Sequence, residues 1–193
     1  MRLDALTAAD MEQIRVWRHE VPETLRTPYM LTAEMQADYY RDVICDRRGT
    51  TRYWALTAMA KGVGDSEWSP SHLVGYGGIE NISWENRNGE ISLLLRPECR
   101  GKGYGREAVG LFLEQAFEHM NLECVYGECY MCGPWEFWEK MVVGYRHPAA
   151  LLPDRKYYQG AYYGSYYFTF DRISYCRLAR KRREQETAEQ EPA

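Results

Sequence analysis

Residues 100–106 read Arg-Gly-Lys-Gly-Tyr-Gly-Arg. They follow the apolar run Ile91, Leu93, Leu94 and Leu95, and they open a stretch from Arg106 to Met120. There Val109, Phe112, Ala116, Phe117 and Met120 recur at mostly three- and four-residue steps. That order predicts a strand, a glycine bend and a helix whose apolar stripe lies on the sheet. Glycines at 101, 103 and 105 let the backbone approach an anion closely and aim successive N–H groups at it, and the helix start adds the positive end of its dipole. The junction is a candidate pyrophosphate cradle, so a nucleotide cofactor is the first expectation.

The rest of the chain supplies a sheet for that helix. Met11, Ile14, Val16 and Trp17 follow a helical period over Ala8 to His19, and Thr32 is placed to cap a second helix reaching Arg41 to Ile44. Tyr53 to Met59 and Leu73 to Ile79 read as strands joined through the polar segment 61–71, and Glu90 to Leu95 as a third strand after a turn-rich stretch. Beyond the central helix, Glu123 to Tyr130 reads as a strand and Trp135 to Met141 as a short helix. Tyr157 to Phe170 reads as an aromatic hairpin turning between Gly160 and Gly164. The expected class is α+β: a mixed, mostly antiparallel central sheet flanked by helices, in a single domain over 1–176. Residues 177–193 form a charged tail expected to be disordered, in which Arg177, Arg180, Lys181, Arg182 and Arg183 give way to Glu184, Glu186, Glu189 and Glu191.

Charge excludes several partners. A formal net charge of −4 gives no global field for nucleic acid, and the one basic cluster is diluted at once by the acidic tail. The N-terminus lacks the apolar core of a secretory signal, and no window approaches the roughly 18 apolar residues of a membrane span. A cytoplasmic protein without membrane or nucleic-acid partners is expected. In that reducing setting the six cysteines read as packing thiols. Cys124, Cys129 and Cys132, with Cys176, resemble the spacing of a plant-type iron–sulfur site, but Cys124 and Cys129 would point to opposite faces of one strand. Neither they nor His19, His72, His119 and His147 make a case for a metal.

Three nucleotide cradles compete for the glycine segment. A Walker loop needs a Lys-Ser or Lys-Thr pair that is absent here. A dinucleotide fingerprint counted from Gly103 reaches Gly105 and a tolerated Ala108, but it belongs to a repeating strand–helix–strand pattern, whereas the strands upstream form a meander. What remains is R-x-x-G-x-G with Arg100, Gly103 and Gly105 at its defining positions. Here the chain resembles the GNAT superfamily of acetyl-CoA-dependent N-acyltransferases. The resemblance covers roughly residues 1 to 170. Trp17-Arg18, Val74 to Ile79, Glu90 to Leu95 and Phe137-Trp138-Glu139-Lys140 are similar to runs in the ribosomal-protein N-terminal and amino-sugar acetyltransferase branches.

The resemblance implies that backbone groups of Leu93, Leu94 and Leu95 pair with the pantetheine arm of acetyl-CoA as an added strand, with the Leu95 N–H on the thioester carbonyl. It also implies that Arg100, Gly101, Lys102, Gly103, Tyr104, Gly105 and Arg106 hold the pyrophosphate, mostly through amides. Family members often carry Asn at the end of the fifth strand and a general-acid Tyr in the next helix, where this chain has Met131 and Trp138. An indole cannot release a proton at useful pH, so the leaving thiolate would take one from Tyr145, another hydroxyl or water. Glu80 and Glu90, at facing ends of two strands, are the carboxylates expected to flank the acceptor amine as base. An α-amine near pKa 8 needs only about 1 kcal/mol to deprotonate at neutral pH, against roughly 4 to 5 for a lysine-like amine.

The expected activity is direct acetyl transfer to a primary amine, on a small molecule or a protein N-terminus. The paired tyrosines 157–158, 162–163 and 166–167 are expected to pack the core, wall the acceptor site or join a homodimer. A non-catalytic acyl-CoA-binding module is the alternative suggested by Trp138.

Overall fold

Two threonines start the first two helices. Thr7 Oγ1 accepts from the Asp10 N–H while Asp10 accepts from the Thr7 N–H, a reciprocal cap for α1 (Ala8–His19). Thr32 Oγ1 accepts from the Met35 N–H at the start of α2 (Ala33–Tyr39), which runs on through a π turn, Tyr40–Ile44. This is a computed structural model describing residues 1–26, 29–58, 72–146 and 149–190, with the side chains of residue 182 and residues 186–190 left aside. The expected polar connection over 61–71 lies outside the described residues.

Among the described residues the sheet has seven strands in the order β1-β2-β3-β4-β5-β7-β6: β1 (Arg2–Asp4), β2 (Arg52–Ala58), β3 (His72–Ser83), β4 (Asn88–Leu95), β5 (Cys124–Tyr130), β6 (Ala149–Tyr158) and β7 (Ala161–Asp171). All neighbours are antiparallel except β4 and β5. Helix α3 (Tyr104–Glu114, extended by a π turn to His119) makes the crossover between that parallel pair. Helix α4 (Trp135–Met141) follows β5, and α5 (Arg172–Gln190) closes the chain, so the charged segment from 177 begins inside a helix. This is the mixed, mostly antiparallel α+β sheet read from the sequence.

Strands β2, β3 and β4 are covered on both faces. Leu56, Ile79, Ile91, Val109, Phe112 and Phe117 belong to the core beneath α3, whereas Ala55, Tyr76 and Leu94 pack with Met11, Ile14 and Trp17 of α1 on the other face. The strand period of two therefore assigns alternate residues of β2, β3 and β4 to the α1–α2 side, Tyr53, Glu80 and Glu90 among them.

Two details differ from expectation. The final hairpin begins at Ala149 and turns at Gln159–Gly160, both with positive φ, a two-residue turn whose twist matches the strands. Its first half escapes an alternation reading because the register breaks between Leu152 and Lys156, where Asp154 also has positive φ. β1 is three residues long and carries no periodic signal.

Candidate active site

β4 and β5 pair only at Asn88↔Cys124, Gly89↔Val125 and Glu90↔Tyr126, and then diverge. Beyond Glu90 one edge of β4 has no partner strand. The Arg96 N–H donates to Val74 O at 2.8 Å, toward β3. By strand alternation the N–H and C=O of Leu95 and Leu93 point the other way, into the gap. Leu94 is the exception among the three expected leucines: its carbonyl faces β3 at Gly75, and its side chain packs against the α1 side.

The gap leads to the glycine bend. Gly101 and Gly103 adopt φ of +72° and +89°, and Gly103 is the N-cap of α3 without any side-chain cap. Nothing lies within 4 Å of where a Cβ would stand at either glycine. Among the described residues, no protein acceptor takes the amides of residues 102–105. Uncapped amides, left-handed glycines and a helix start together form an anion cradle. Gly105 is tight where these two are open, since an added Cβ would come within 3.1 Å of the Phe137 ring, which brings α4 against the bend.

A cavity of about 800 Å³ runs continuously from this bend to the two glutamates. Its lining includes Leu93, Leu94, Leu95, Arg100, Gly101, Gly103, Gly105 and Arg106 at one end and Glu80 and Glu90 at the other. Lys102 is exposed and Tyr104 packs on the core, and neither side chain lines the cavity. Tyr145 also falls outside the lining. Its ring stands edge-on to Phe170 at 4.9 Å, packed against the core beneath α3, so the structure does not bring it to the expected general-acid position.

Trp138 does line the cavity, buried and stacked on Phe168 at 4.7 Å. It is a wall, with no proton to give. Tyr29 lines the cavity, whereas Trp17 belongs to the α1 core and Trp84 is exposed beneath Arg52.

The glutamates are cross-strand partners, Glu80↔Glu90. Tyr53 donates to Glu80 Oε2 at 2.6 Å. Burial raises the Glu80 carboxyl above the usual carboxylate range; the Tyr53 hydrogen bond works against that shift, and the like charge of Glu90 adds to it. Burial likewise holds the Tyr53 phenol well above an ordinary tyrosine. Glu90 is 5% exposed and accepts from Arg26 and, at 2.9 Å, from Asn81 Nδ2. Its partner is thus Arg26 from the α1–α2 connection, 64 residues away, and not the neighbouring Arg87, which pairs with Glu123.

Three further charged groups of this end, Glu128, Arg18 and Arg26, were given no role from the sequence. Glu128 accepts from Ser165 at 2.6 Å and from Arg155 at 3.0 Å. Burial opposes its charge, but those contacts prevail and hold its carboxyl below the usual range. Arg18 and Arg26 enter from the α1 side. A long-range ion pair leaves no local pattern to read; Arg18 alone was marked, within its Trp-Arg pair.

The residues present fit acetyl-CoA: an edge of outward N–H and C=O groups for the pantetheine, and a bend of free amides with Arg100 and Arg106 for the pyrophosphate. The family model that matches residues 1–131 is that of the acetyltransferase (GNAT) domain. This chain belongs to the GNAT family.

As a GNAT protein it is an acetyl-CoA-dependent N-acetyltransferase, and solved structures share its fold. Spermidine N-acetyltransferase from Vibrio cholerae, in complex with CoA and spermine, superposes with a TM-score of 0.73 at 19% identity, covering 91% of this chain and 97% of that one. A mutant form of the spermidine/spermine N-acetyltransferase SpeG from the same organism matches with a TM-score of 0.73 at 19% identity, covering 92% and 97%. A chimera of that enzyme with hSSAT gives 0.72 at 20%, covering 91% and 98%. A search of curated proteins by sequence finds no match. Among the described residues, no group of three or more His, Cys, Asp or Glu could hold a metal, and no helix is long and apolar enough to cross a membrane.

Proposed function

We propose that this GNAT enzyme acetylates the primary amine of a small molecule or a protein N-terminus, by direct transfer within one cavity. The observation that carries this reading is the continuity of that cavity from the uncapped glycine bend to the Tyr53–Glu80 pair. Acetyl-CoA, when bound, supplies an acetyl carbonyl on a thiol leaving group. Leu93 and Leu95 offer it main-chain hydrogen bonds along the open edge of β4, and the amides of 102–105 offer several more at the bend, each contributing about 1.5 to 3 kcal/mol to a charged group.

Glu80 is the base of this reading. Tyr53 fixes one carboxylate oxygen, while Oε1 accepts no hydrogen bond among the described residues and is left to take the amine proton. A carboxyl raised by burial is a better base than a solvated one. Glu90 is held by Arg26 and Asn81 and acts on Glu80 through its charge. Direct transfer is favoured over a thioester on the protein because Cys129, the cysteine lining the cavity, has its thiol pushed by burial up to about 12.

With no phenol at 138, the thiolate leaves unassisted or takes a proton from Tyr130, another hydroxyl of the lining, or water. A thiol pKa near about 8.5 makes that tolerable. A cytoplasmic setting, without nucleic-acid or membrane partners and with a homodimer as the assembly, completes the reading.

Release of free CoA in the presence of N-terminal peptides, amino sugars, amino acids and polyamines tests it. Turnover should fall about a hundredfold or more in Glu80→Gln while CoA affinity is kept. The second reading, a non-catalytic acyl-CoA-binding module, is favoured by Trp138 alone. It gives CoA binding with no amine turned over.

A further inference from the structure

Arg18 is a buried-side cation of the acceptor half with no acid of its own. It lines the cavity from α1, and its Nη1 donates to the Tyr76 hydroxyl at 3.2 Å. Its Nε is buried without any acceptor. Among the described residues no carboxylate comes within ion-pair distance of its guanidinium. Guanidinium stays charged at all useful pH and presents five donors in a planar fork, so leaving most of them without an acid in a partly dry cavity is costly.

Two of the three carboxylates of the same half are in the opposite condition, because Glu90 and Glu128 are already paired with arginines of the protein. Glu80 takes Tyr53, Glu90 takes Arg26 and Asn81, and Glu128 takes Ser165 and Arg155. A site for a polycation would keep acids free to receive ammonium groups. Here the charged groups lacking a counterion among the described residues are one arginine, Arg18, and one acid, Glu80, whose donor is the neutral Tyr53.

From this imbalance we infer that the acceptor is a small aminocarboxylate, with Arg18 holding its carboxylate while its amine faces Glu80. Arg18 and Glu80 both project from the α1 side of the cavity, and Arg18 is near enough for its charge to act on Glu80. An amine and an acid on one small skeleton match that pair. The α-amine of such a compound is also the easier one to deprotonate. The inference rests on the acetyltransferase reading and narrows it, setting this chain apart from relatives that act on spermidine.

The test compares, on the wild-type enzyme with acetyl-CoA, the amino acids with their amides, their decarboxylated amines and spermidine. The acid form should exceed its amide and amine counterparts in kcat/KM by about a hundredfold, as expected for a desolvated charge pair. In Arg18→Gln that preference should vanish, the acids losing about a hundredfold in kcat/KM, mainly through KM, while simple amines change far less; Arg18→Lys, which keeps the charge and loses the fork, should fall between. The ligand series needs no variant, so a poorly folding Arg18→Gln leaves the comparison intact.

A second readout is the quench of tyrosine and tryptophan fluorescence by the same compounds in the CoA-bound protein, which does not depend on turnover. Equal or better use of spermidine or of decarboxylated amines overturns the inference while leaving the acetyltransferase reading standing. Saturable binding of amino acids but not amines, without any CoA release, sinks the catalytic reading and leaves Arg18 as a carboxylate anchor. Absence of both discards the two together.

Discussion

The Tyr53 hydroxyl donates to Glu80 Oε2 across 2.6 Å, inside a cavity where Glu90 faces Glu80 as its cross-strand partner. These two neighbours push the Glu80 proton in opposite directions, the phenol stabilising the carboxylate and the second carboxylate destabilising it. If Glu80 must be ionised to accept the amine proton, the rate rises with pH through its pKa. Tyr53→Phe removes a stabilising bond and should move the acid limb of kcat/KM to higher pH. Glu90→Gln removes a like charge and should move it to lower pH. Two limbs shifting in the same direction, or neither shifting, would remove Glu80 from the role of base.

Gly103 turns the chain into α3 at a φ of +89° with open space where a Cβ would stand. Gly103→Ala forces a left-handed alanine, costing about 1–2 kcal/mol of stability, and puts a methyl at the mouth of the anion cradle. A folding cost alone leaves the affinity of the folded protein unchanged, so calorimetric titration should show the cradle's own loss, CoA affinity falling about tenfold or beyond, equivalent to about 1.4 kcal/mol. Full retention of affinity would mean that the cofactor phosphates do not use this bend.

Lys156 is 6% exposed and has no carboxylate partner among the described residues; its Nζ donates to the carbonyls of Pro22, Glu23 and Leu25 at 2.9, 2.7 and 2.6 Å. It lashes β6 to the segment that carries Arg26 and part of the acceptor wall. Lys156→Met takes the ammonium from three carbonyls, of which Pro22 O keeps the Leu25 N–H and Glu23 O the Cys132 thiol, and should cost about 1–3 kcal/mol in a urea melt. The acceptor KM should rise while CoA affinity stays the same. An unchanged acceptor KM in a destabilised variant would limit Lys156 to folding.

How much of this was legible in the sequence depended on range. The glycine bend, the α3 stripe and the Thr32 cap are written within a few residues, and each is read from spacing and rotational period. Arg26 on Glu90 spans 64 residues, and Lys156 on the Pro22–Leu25 carbonyls spans more than 130. Such contacts depend on which strands become neighbours, which no local pattern encodes. Tyr145 failed as a site residue for a similar reason: proximity in sequence to α4 does not place a ring in the cavity when the core offers Phe170 as a packing partner. The aromatic hairpin was seen, but the break around Asp154 hid half of β6.

Asp171 joins the end of β7 to α5, accepting from the Ser174 N–H at 2.9 Å and from Arg146 Nε at 3.0 Å. Burial works against its charge, but these bonds prevail and set its carboxyl below the ordinary value. A depressed folded-state pKa adds stability above the unfolded value near about 3.9, lost as pH falls through the folded one. Asp171→Ala should therefore be less stable than wild type by about 1–2 kcal/mol at pH 7, with the gap closing below about pH 4. A gap independent of pH would assign the loss to packing.

Trp138 contributes surface and no proton. Trp138→Phe keeps a ring against Phe168 and should retain kcat within about threefold, losing roughly 1 kcal/mol or more of stability to the vacated volume. A collapse of kcat with normal CoA binding would reveal a chemical role for the indole.

The central claim is that main-chain groups of an opened strand edge and a glycine bend hold the cofactor. Residue-resolved hydrogen–deuterium exchange, with and without saturating CoA, reads those groups directly. The amides of Leu93, Leu95 and residues 102–105 should gain protection together, while the Leu94 amide, already facing β3, changes little. Protection confined to other parts of the chain, or none at saturation, would contradict it.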